Sequence, residues 1–163
     1  MSDSINDSAT DEISYATIDI EELKRNGKIF RENAGASIID IGDQVALVEF
    51  HTKANSISSD ICEMLTTAVQ EGSKKFDAIV IGNRGKHFSA GANLVLLLEL
   101  ARTNKWNEIE QIIRQLQDTN MAIRYGAIPV VAAPFSSTLG GGCEICLHSH
   151  QVIAAEEIRM GLV

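Results

Sequence analysis

The segment Thr-Leu-Gly-Gly-Gly-Cys-Glu at residues 138–144 runs from three consecutive glycines into an apolar stretch that begins with a carboxylate. Glycine lacks a Cβ atom, so the backbone can approach a ligand closely and point its N–H groups at it. A helix that starts at these glycines adds the positive end of its dipole, which favours a bound anion. The segment therefore predicts an oxyanion site at a helix start, with Glu144 placed as a general acid or base.

A second turn of small residues lies upstream, where His-Phe-Ser-Ala-Gly-Ala-Asn at residues 87–93 leads into another apolar stretch. Two turns that supply N–H groups, together with one carboxylate, indicate acyl chemistry. Two simpler interpretations stand beside this one. The glycine run could serve only close helix packing, and Glu144 could be an ordinary first-turn acid of a helix.

Strand and helix patterns alternate along the rest of the chain, as in α/β proteins. β-rich runs at residues 37–41 and 44–50 flank a Gly-Asp turn and predict a hairpin, and apolar runs at 77–82, 129–133 and 151–155 predict further strands. Four helices are expected. The first covers residues 60–72, with Asp60 and Glu63 as a capping box, and a short buried helix follows at 94–102.

The third helix runs from Asn107, with Glu110 as its capping box, to Gly126. The side chains expected to face inward on it are Ile109, Ile112, Ile113, Leu116 and Ile123. The fourth helix is expected from Gly140 onward.

Composition and charge exclude several classes of protein. A net charge of −8 over 163 residues argues against nucleic acid or an anionic membrane as partner, because both attract basic faces. The first twelve residues carry four acids and no Lys or Arg, which is not a secretory signal. The apolar run 94–98 is too short for a membrane span, which needs about 20 residues. With three cysteines and no signal, a reducing cytoplasm is expected.

The two ends of the chain differ from its middle. Residues 1–36 are expected to form a disordered tail, up to about Thr10, and then a linker or arm that packs on another domain, with the fold proper beginning near Ala36. At the other end the sequence stops at Val163 without a helix stop or a polar tail. We therefore expect residues 37–163 to be the N-terminal part of a longer domain.

Several short motifs occur in a fixed order: Lys-Ala-Asn-Ser at 53–56, the 87–93 turn, Pro-Val-Val-Ala-Ala at 129–133, Leu-Gly-Gly-Gly-Cys-Glu at 139–144, Val-Ile-Ala-Ala-Glu at 152–156 and Met-Gly-Leu-Val at 160–163. In this order they resemble the crotonase (enoyl-CoA hydratase/isomerase) family. The resemblance implies a spiral of ββα turns, of which the chain holds the N-terminal portion. Residues 22–43 resemble the segment that leads into the crotonase-like domain of fused bacterial 3-hydroxyacyl-CoA dehydrogenases of fatty-acid β-oxidation.

The resemblance also implies roles for individual residues. The backbone N–H groups of Ala92 and Gly141 would receive the oxygen of an acyl-CoA thioester, and the neighbouring Gly91 and Gly140 would bind the substrate. Glu144 would activate the water that adds to a trans-2-enoyl-CoA. Contacts to the CoA moiety are implied for two residues, Lys53 and Ala90.

A second carboxylate belongs to a Gly-x-Pro-Glu stretch in hydratases. Gly161, Leu162 and Val163 match its first three positions, which places that carboxylate after the last residue. Asn93 stands where the family usually has Asp, Pro134 interrupts a strand, and Ser136 often aligns with Gly, so the shape of the pocket is expected to differ from that of other members.

The resemblance implies no cofactor in this chain, because CoA is part of the substrate and the NAD of the fused dehydrogenase needs a Gly-x-Gly-x-x-Gly motif that is absent here. Homo-oligomers are common in the family. An enoyl-CoA isomerase, or a catalytically incomplete module for CoA-thioester binding or assembly, remains as an alternative.

Other chemistry-bearing residues have simpler interpretations. Cys143, Cys146, His148 and His150 stand at metal-ligand spacing, but residues two apart on a helix point to different sides, so no metal site is predicted. Without a nucleophile elbow a hydrolase is not expected, and Ser89 is interpreted as a turn residue.

Overall fold

The computed structural model describes residues 17–162, and the tail expected before Thr10 lies outside this range. Within it the chain forms α1 (Ile20–Arg25), β1 (Ile29–Glu32), β2 (Ala36–Asp40), β3 (Val45–Phe50), α2 (Ser59–Gln70), β4 (Ala78–Ile81), α3 (Leu94–Arg102), α4 (Trp106–Arg124), β5 (Val130–Ala132), β6 (Ser136–Leu139), α5 (Gly141–His148), β7 (Gln151–Val152) and β8 (Ile158–Gly161). Short 3-10 turns occupy Lys53–Asn55 and Gly72–Lys74.

The strands form two sheets. The larger sheet has the order β1-β2-β3-β4-β5-β7, with antiparallel pairs from β1 to β3 and parallel pairs from β3 to β7. β6 and β8 form a separate parallel pair. Parallel neighbours need crossover connections, and α2 and the α3–α4 pair provide two of them. Helices therefore cover the sheet, and the turns that follow β4 and β6 meet at one place.

The core lies between the larger sheet and α2. Apolar side chains of β2, β3 and β4 face those of α2, and Ile61 and Leu65 are almost completely buried there. α2 also packs against α4, and α4 against α5. Each large apolar side chain that is fully buried stabilises the fold by about 1.5–3 kcal/mol. The packing of α2 on the sheet, of α4 on α2 and of α5 on α4 therefore holds in place the helices that carry the later residues of the site.

The predicted hairpin and the buried strands are confirmed. β2 and β3 pair with Ile38 opposite Val48, and the turn between them contains Gly42. The run at 77–82 forms β4, between β3 and β5, and the run at 129–133 forms β5. The strand expected at 151–155 is only two residues long and exposed. β6 was not predicted, because its sequence Ser-Ser-Thr-Leu has no apolar alternation.

The ordered structure begins earlier than the expected start near Ala36. α1 and β1 lie in the segment interpreted as a linker or arm, and β1 adds to the sheet beside β2. α1 contacts the same domain, since Lys24 Nζ lies 2.6 Å from the buried Glu49 carboxylate and Arg84 pairs with Glu21 at 2.7 Å. The division at residue 36 between arm and crotonase-like domain stays a prediction.

Two of the predicted helix starts are wrong in detail. α2 is capped by Ser58, whose Oγ accepts the N–H of Ile61 at 3.4 Å, rather than by Asp60. α4 begins at Trp106, one residue before Asn107, and its start has no side-chain cap. Serine and aspartate are equally good N-cap residues, but the backbone is extended at Ser58 and helical from Ser59, which leaves Asp60 inside the first turn.

α3 is not buried as expected. Leu94 and Val95 are 74% and 77% exposed, and only Leu100 of this helix is buried. On α4, Ile123 is buried but Ile113, which was predicted to face inward, is half exposed. The apolar content of α3 predicted burial, whereas its packing contacts in residues 17–162 come chiefly from α4. No helix in the described range is both long and apolar enough to cross a bilayer.

Candidate active site

A cavity of about 200 Å³ opens between α2, α3, α4 and the start of α5. Ala92, Gly141 and Glu144 all line it, although 52 positions (144 − 92) separate the first from the last in sequence. The other lining residues are mostly apolar, with polar groups toward α2 and along α4: Ile57, Ser58, Ser59, Cys62, Leu97, Ile112, Ile113, Gln115, Leu116 and Gln117. An apolar pocket with a few convergent polar groups is the usual form of a small-molecule site.

The turn at residues 88–92 carries Ala92 to this cavity. The carbonyl of Gly91 accepts the N–H of Ile57 at 2.8 Å, and the N–H of Ala90 donates to Ala54 at 3.1 Å. Both bonds fix the turn against the segment that follows β3. Within residues 17–162 the N–H of Ala92 donates to no protein acceptor, so it is available to a ligand oxygen.

The second N–H source is the turn at residues 139–142, which begins α5. The N–H of Gly140 donates to Gly161 at 3.0 Å, whereas the N–H of Gly141 has no acceptor among the described residues. The first N–H groups of a helix lack intrahelical partners, and the helix dipole makes this end attractive to negative charge. Gly141 therefore presents a second free donor at the wall of the cavity.

Close packing explains why this turn contains glycine. A Cβ atom on Gly142 would lie 2.5 Å from Ser89 Cβ, and one on Gly91 would lie 2.8 Å from the carbonyl oxygen of Leu139. Gly91 also has φ +83°, in the left-handed region that L residues rarely adopt. The two turns are therefore in direct backbone contact.

Glu144 supplies the carboxylate of the cavity. It lies on the first turn of α5 and is half-buried, and its Oε2 is 3.8 Å from the point where a Cβ on Gly141 would be. Its backbone joins the helix, since its N–H donates to Gly140 at 3.0 Å and its carbonyl lies 2.7 Å from His148 Nδ1. The side chain is left free to face the cavity.

The residues expected to contact CoA lie nearby but outside this cavity. Lys53 is exposed and lines a second depression, which shares Ile57 and Ser58 with the first. Ala90 is exposed and is tied through its N–H to Ala54. The bond from Ala90 to Ala54, the residue after Lys53, brings these two predicted residues close together. Their contact with CoA stays a prediction.

The cysteines and histidines near α5 are engaged separately. Cys143 and Cys146 are buried, and burial raises the pKa of both thiols, that of Cys146 to about 12. His150 Nδ1 accepts the N–H of Val130 at 3.1 Å. Cys62, which sequence reasoning did not place in the site, lines the cavity, and desolvation raises the pKa of its thiol. All three cysteines are therefore protonated at neutral pH and pack as small apolar side chains.

Sequence reasoning also missed the residues that hold the turns together. Asn55 is buried and its Nδ2 donates to the carbonyls of Arg84 and His87, both at 3.0 Å. Ser89 is completely buried and bonded on four sides. Both are small polar residues inside motifs, and the only sequence signal for them was the motifs themselves.

Comparison with known proteins shows which family this chain belongs to. A family model described as enoyl-CoA hydratase/isomerase matches residues 40–163. A probable 3-hydroxyacyl-CoA dehydrogenase of Bacillus subtilis is 46% identical over 146 residues, which are 90% of this chain and 18% of that protein. A putative fatty acid oxidation complex trifunctional enzyme of Rickettsia felis is 28% identical over 143 residues, 88% of this chain and 20% of the relative. The chain thus spans about a fifth of the length of these relatives.

Solved structures confirm the predicted fold. The enoyl-CoA hydratase of Bacillus anthracis superposes with a TM-score of 0.69 at 26% identity, over 78% of this chain and 50% of that one. The enoyl-CoA hydratase of Bacillus halodurans gives a TM-score of 0.70 at 18% identity, over 77% of this chain and 51% of that one, which supports the fold alone. With its crotonase fold and a family match over most of its length, the chain belongs to the enoyl-CoA hydratase/isomerase family.

Proposed function

We propose that this domain binds an acyl-CoA thioester and stabilises negative charge on the thioester oxygen through the N–H groups of Ala92 and Gly141, which we call the oxyanion hole. One observation carries the proposal. Two backbone donors without protein acceptors in residues 17–162, together with one carboxylate, line a single apolar cavity. Preorganised donors at such a position lower the barrier because they need no reorganisation as charge develops.

We further propose that the protein hydrates trans-2-enoyl-CoA in fatty-acid oxidation. Glu144 would take a proton from water while the water oxygen bonds to Cβ of the enoyl group. The electrons of the double bond would move onto the thioester oxygen, where the oxyanion hole holds them as an enolate. A proton delivered to Cα, from the second carboxylate that the resemblance places after Val163, would complete the 3-hydroxyacyl-CoA. The name of the Rickettsia felis relative supports the pathway.

An isomerase is the second candidate. Among residues 17–162, Glu144 is the one carboxylate that lines the cavity. A single carboxylate can remove a proton from Cα and return it at Cγ, which moves a double bond without adding water. Product analysis separates the two reactions, since only hydration incorporates oxygen from labelled water.

The test is Glu144→Gln in the protein expressed from its whole reading frame. Loss of general acid–base catalysis is expected to lower crotonyl-CoA hydration by about 10²–10⁴-fold, with the affinity for CoA unchanged. Glu108→Gln, at an exposed glutamate of α4 that pairs with Lys105, is the matched control and is expected to keep full activity. Full activity of Glu144→Gln would overturn the role of Glu144 in hydration.

The remaining parts of the proposal concern partners and location. CoA is bound as part of the substrate through Lys53 and the Ala90 backbone, and NAD serves only a fused dehydrogenase. The protein self-associates in the cytoplasm, and the exposed apolar residues Leu94 and Val95 of α3 favour such contacts. A strictly monomeric species in sedimentation would remove self-association from the proposal.

A further inference from the structure

We propose that Ser89 is a positioning residue of the oxyanion hole, which it holds in shape by joining the two turns that supply the N–H donors. The inference rests on the proposed function, because it assumes that Ala92 and Gly141 receive the thioester oxygen. Ser89 itself has no exposed surface and does not line the cavity, so it would act only through its neighbours.

The hydroxyl of Ser89 organises its own turn. Its Oγ donates to the carbonyl of Asn55 at 2.8 Å and accepts the N–H of Gly91 at 3.1 Å. The first bond attaches the turn to the segment after β3, and the second sets the backbone of Gly91, whose φ is +83°. Ala92 is the next residue, so the direction of its N–H depends on the conformation that this hydroxyl fixes at Gly91.

The backbone of Ser89 reaches the other turn. Its N–H donates to Ser137 at 3.2 Å, and its carbonyl accepts the N–H of Leu139 at 3.0 Å. These bonds tie residue 89 to β6, which runs directly into the 139–142 turn. Ser89 therefore fixes the distance between the Ala92 and Gly141 donors, because its hydroxyl holds the first turn and its backbone holds the strand that leads into the second.

The side chain of Ser89 also fills the space that Gly142 leaves. A Cβ atom on Gly142 would lie 2.5 Å from Ser89 Cβ and 2.8 Å from its Oγ. Serine and glycine thus fit each other across the contact between the turns. A purely structural role would make Ser89 matter for stability alone, whereas a positioning role makes it matter for how well the site holds an enolate.

The distinguishing experiment uses acetoacetyl-CoA, whose enolate has its own ultraviolet absorption band, and free CoA, which has no acyl carbonyl. Removing one oxyanion donor costs about 10²–10³ in rate, so misplacing one through Ser89→Ala is expected to weaken acetoacetyl-CoA binding and the enolate band by about tenfold or more. Affinity for free CoA is expected to stay near the wild-type value, because Lys53 is unchanged and the N–H of Ala90 is held by the carbonyl of Ala54 and not by the Ser89 hydroxyl.

Ser149→Ala is the matched control. Ser149 is also a buried serine, and its Oγ donates to the carbonyl of Ile145 at 2.9 Å at the far end of α5. It is expected to lower thermal stability as Ser89→Ala does while keeping the enolate band. Where Ser89→Ala does not fold, Ser89→Cys, which keeps the side-chain shape but accepts hydrogen bonds weakly, is measured in its place.

The outcomes separate the two proposals. A wild-type chain without an enolate band overturns the oxyanion hole and the role of Ser89 with it. A wild-type band that persists unchanged in the folded Ser89 variant overturns only the positioning role. A band that falls equally in Ser149→Ala also overturns it, because the loss would then follow stability. A band lost in the Ser89 variant alone, with free CoA still bound, supports the inference.

Discussion

The turn at residues 88–92 and the turn at residues 139–142 both present a free backbone N–H to the cavity, yet they keep their shapes by different means. The first depends on side-chain hydrogen bonds, with Ser89 and Asn55 at its centre. The second depends on missing side chains, since neighbouring atoms occupy the space where a Cβ on Gly141 or Gly142 would lie. A polar network can be loosened without a clash, whereas a glycine contact resists any added atom.

Gly91 belongs to the first turn but faces the second, and its replacement is expected to have the largest effect. In Gly91→Ala the new Cβ would lie 2.8 Å from the carbonyl oxygen of Leu139, and φ +83° is strained for any L residue. Left-handed strain of about 1–2 kcal/mol and overpacking of about 1–3 kcal/mol together predict a loss of about 2–5 kcal/mol in the free energy of unfolding, measured by urea denaturation.

A control separates the two causes. Gly85 has φ +102° and open space around its missing Cβ, so Gly85→Ala is expected to show the strain alone. If Gly85→Ala and Gly91→Ala lose equal stability, then the close contact between the two turns contributes nothing to the free energy of unfolding.

These turns also show how far sequence reasoning reached. The motifs and the family resemblance predicted one site for Ala92, Gly141 and Glu144, and all three line one cavity, while their catalytic roles stay predictions. The hairpin of β2 and β3 followed from alternation and a turn pair, and it is confirmed. The hairpin needed only residues that are close together in sequence, whereas the site needed the resemblance to join two distant turns.

What the sequence did not show has long-range causes. Ser89 lies in a turn, as predicted, but its hydrogen bonds to Asn55 and Leu139 join residues that are 34 and 50 positions (89 − 55 and 139 − 89) away in the chain. The exposure of α3 depends on which elements pack beside it, and apolar content alone cannot show that. Sequence patterns report the preference of a segment, whereas these features depend on the tertiary neighbours that the fold supplies.

Gly142→Ala probes the second turn and is expected to have an intermediate effect. Its Cβ would lie 2.5 Å from the Cβ of the fully buried Ser89, which is tied on both sides and cannot withdraw. Overpacking of about 1–3 kcal/mol is opposed by the better helix propensity of alanine, worth up to about 1 kcal/mol. We expect a net loss of about 1–2 kcal/mol in the free energy of unfolding, measured by urea denaturation.

Gly72→Ala is the comparison for this variant. Gly72 is also buried, but a Cβ there would meet Phe76 at an ordinary contact distance of 3.6 Å. It is expected to be neutral or slightly stabilising. A Gly142→Ala protein as stable as the Gly72→Ala protein would show that the second turn tolerates an added Cβ atom and does not depend on missing side chains.

The smallest effect is expected from Asn55→Asp, which loosens the first turn without adding bulk. Asp tolerates the positive φ of +50° at this position, but its carboxylate would face the carbonyls of Arg84 and His87 in place of a donor. Arg84 is exposed and His87 half-buried, so water can satisfy part of what is lost. The expected cost is about 1 kcal/mol at neutral pH, at the low end for unsatisfied buried groups.

The pH dependence of Asn55→Asp distinguishes loss of these hydrogen bonds from a general packing defect. Burial opposite two carbonyl oxygens raises the pKa of the new carboxyl above its unfolded value of about 3.9. The protonated acid can donate, so stability is highest below that value and is lost as pH rises through the folded pKa. Asn93→Asp is the control, because Asn93 is exposed and its Oδ1 accepts the N–H of Leu96 at the start of α3, a bond that a carboxylate keeps. Urea midpoints that fall alike for both variants as pH rises would mean that the first turn does not depend on the Asn55 donor.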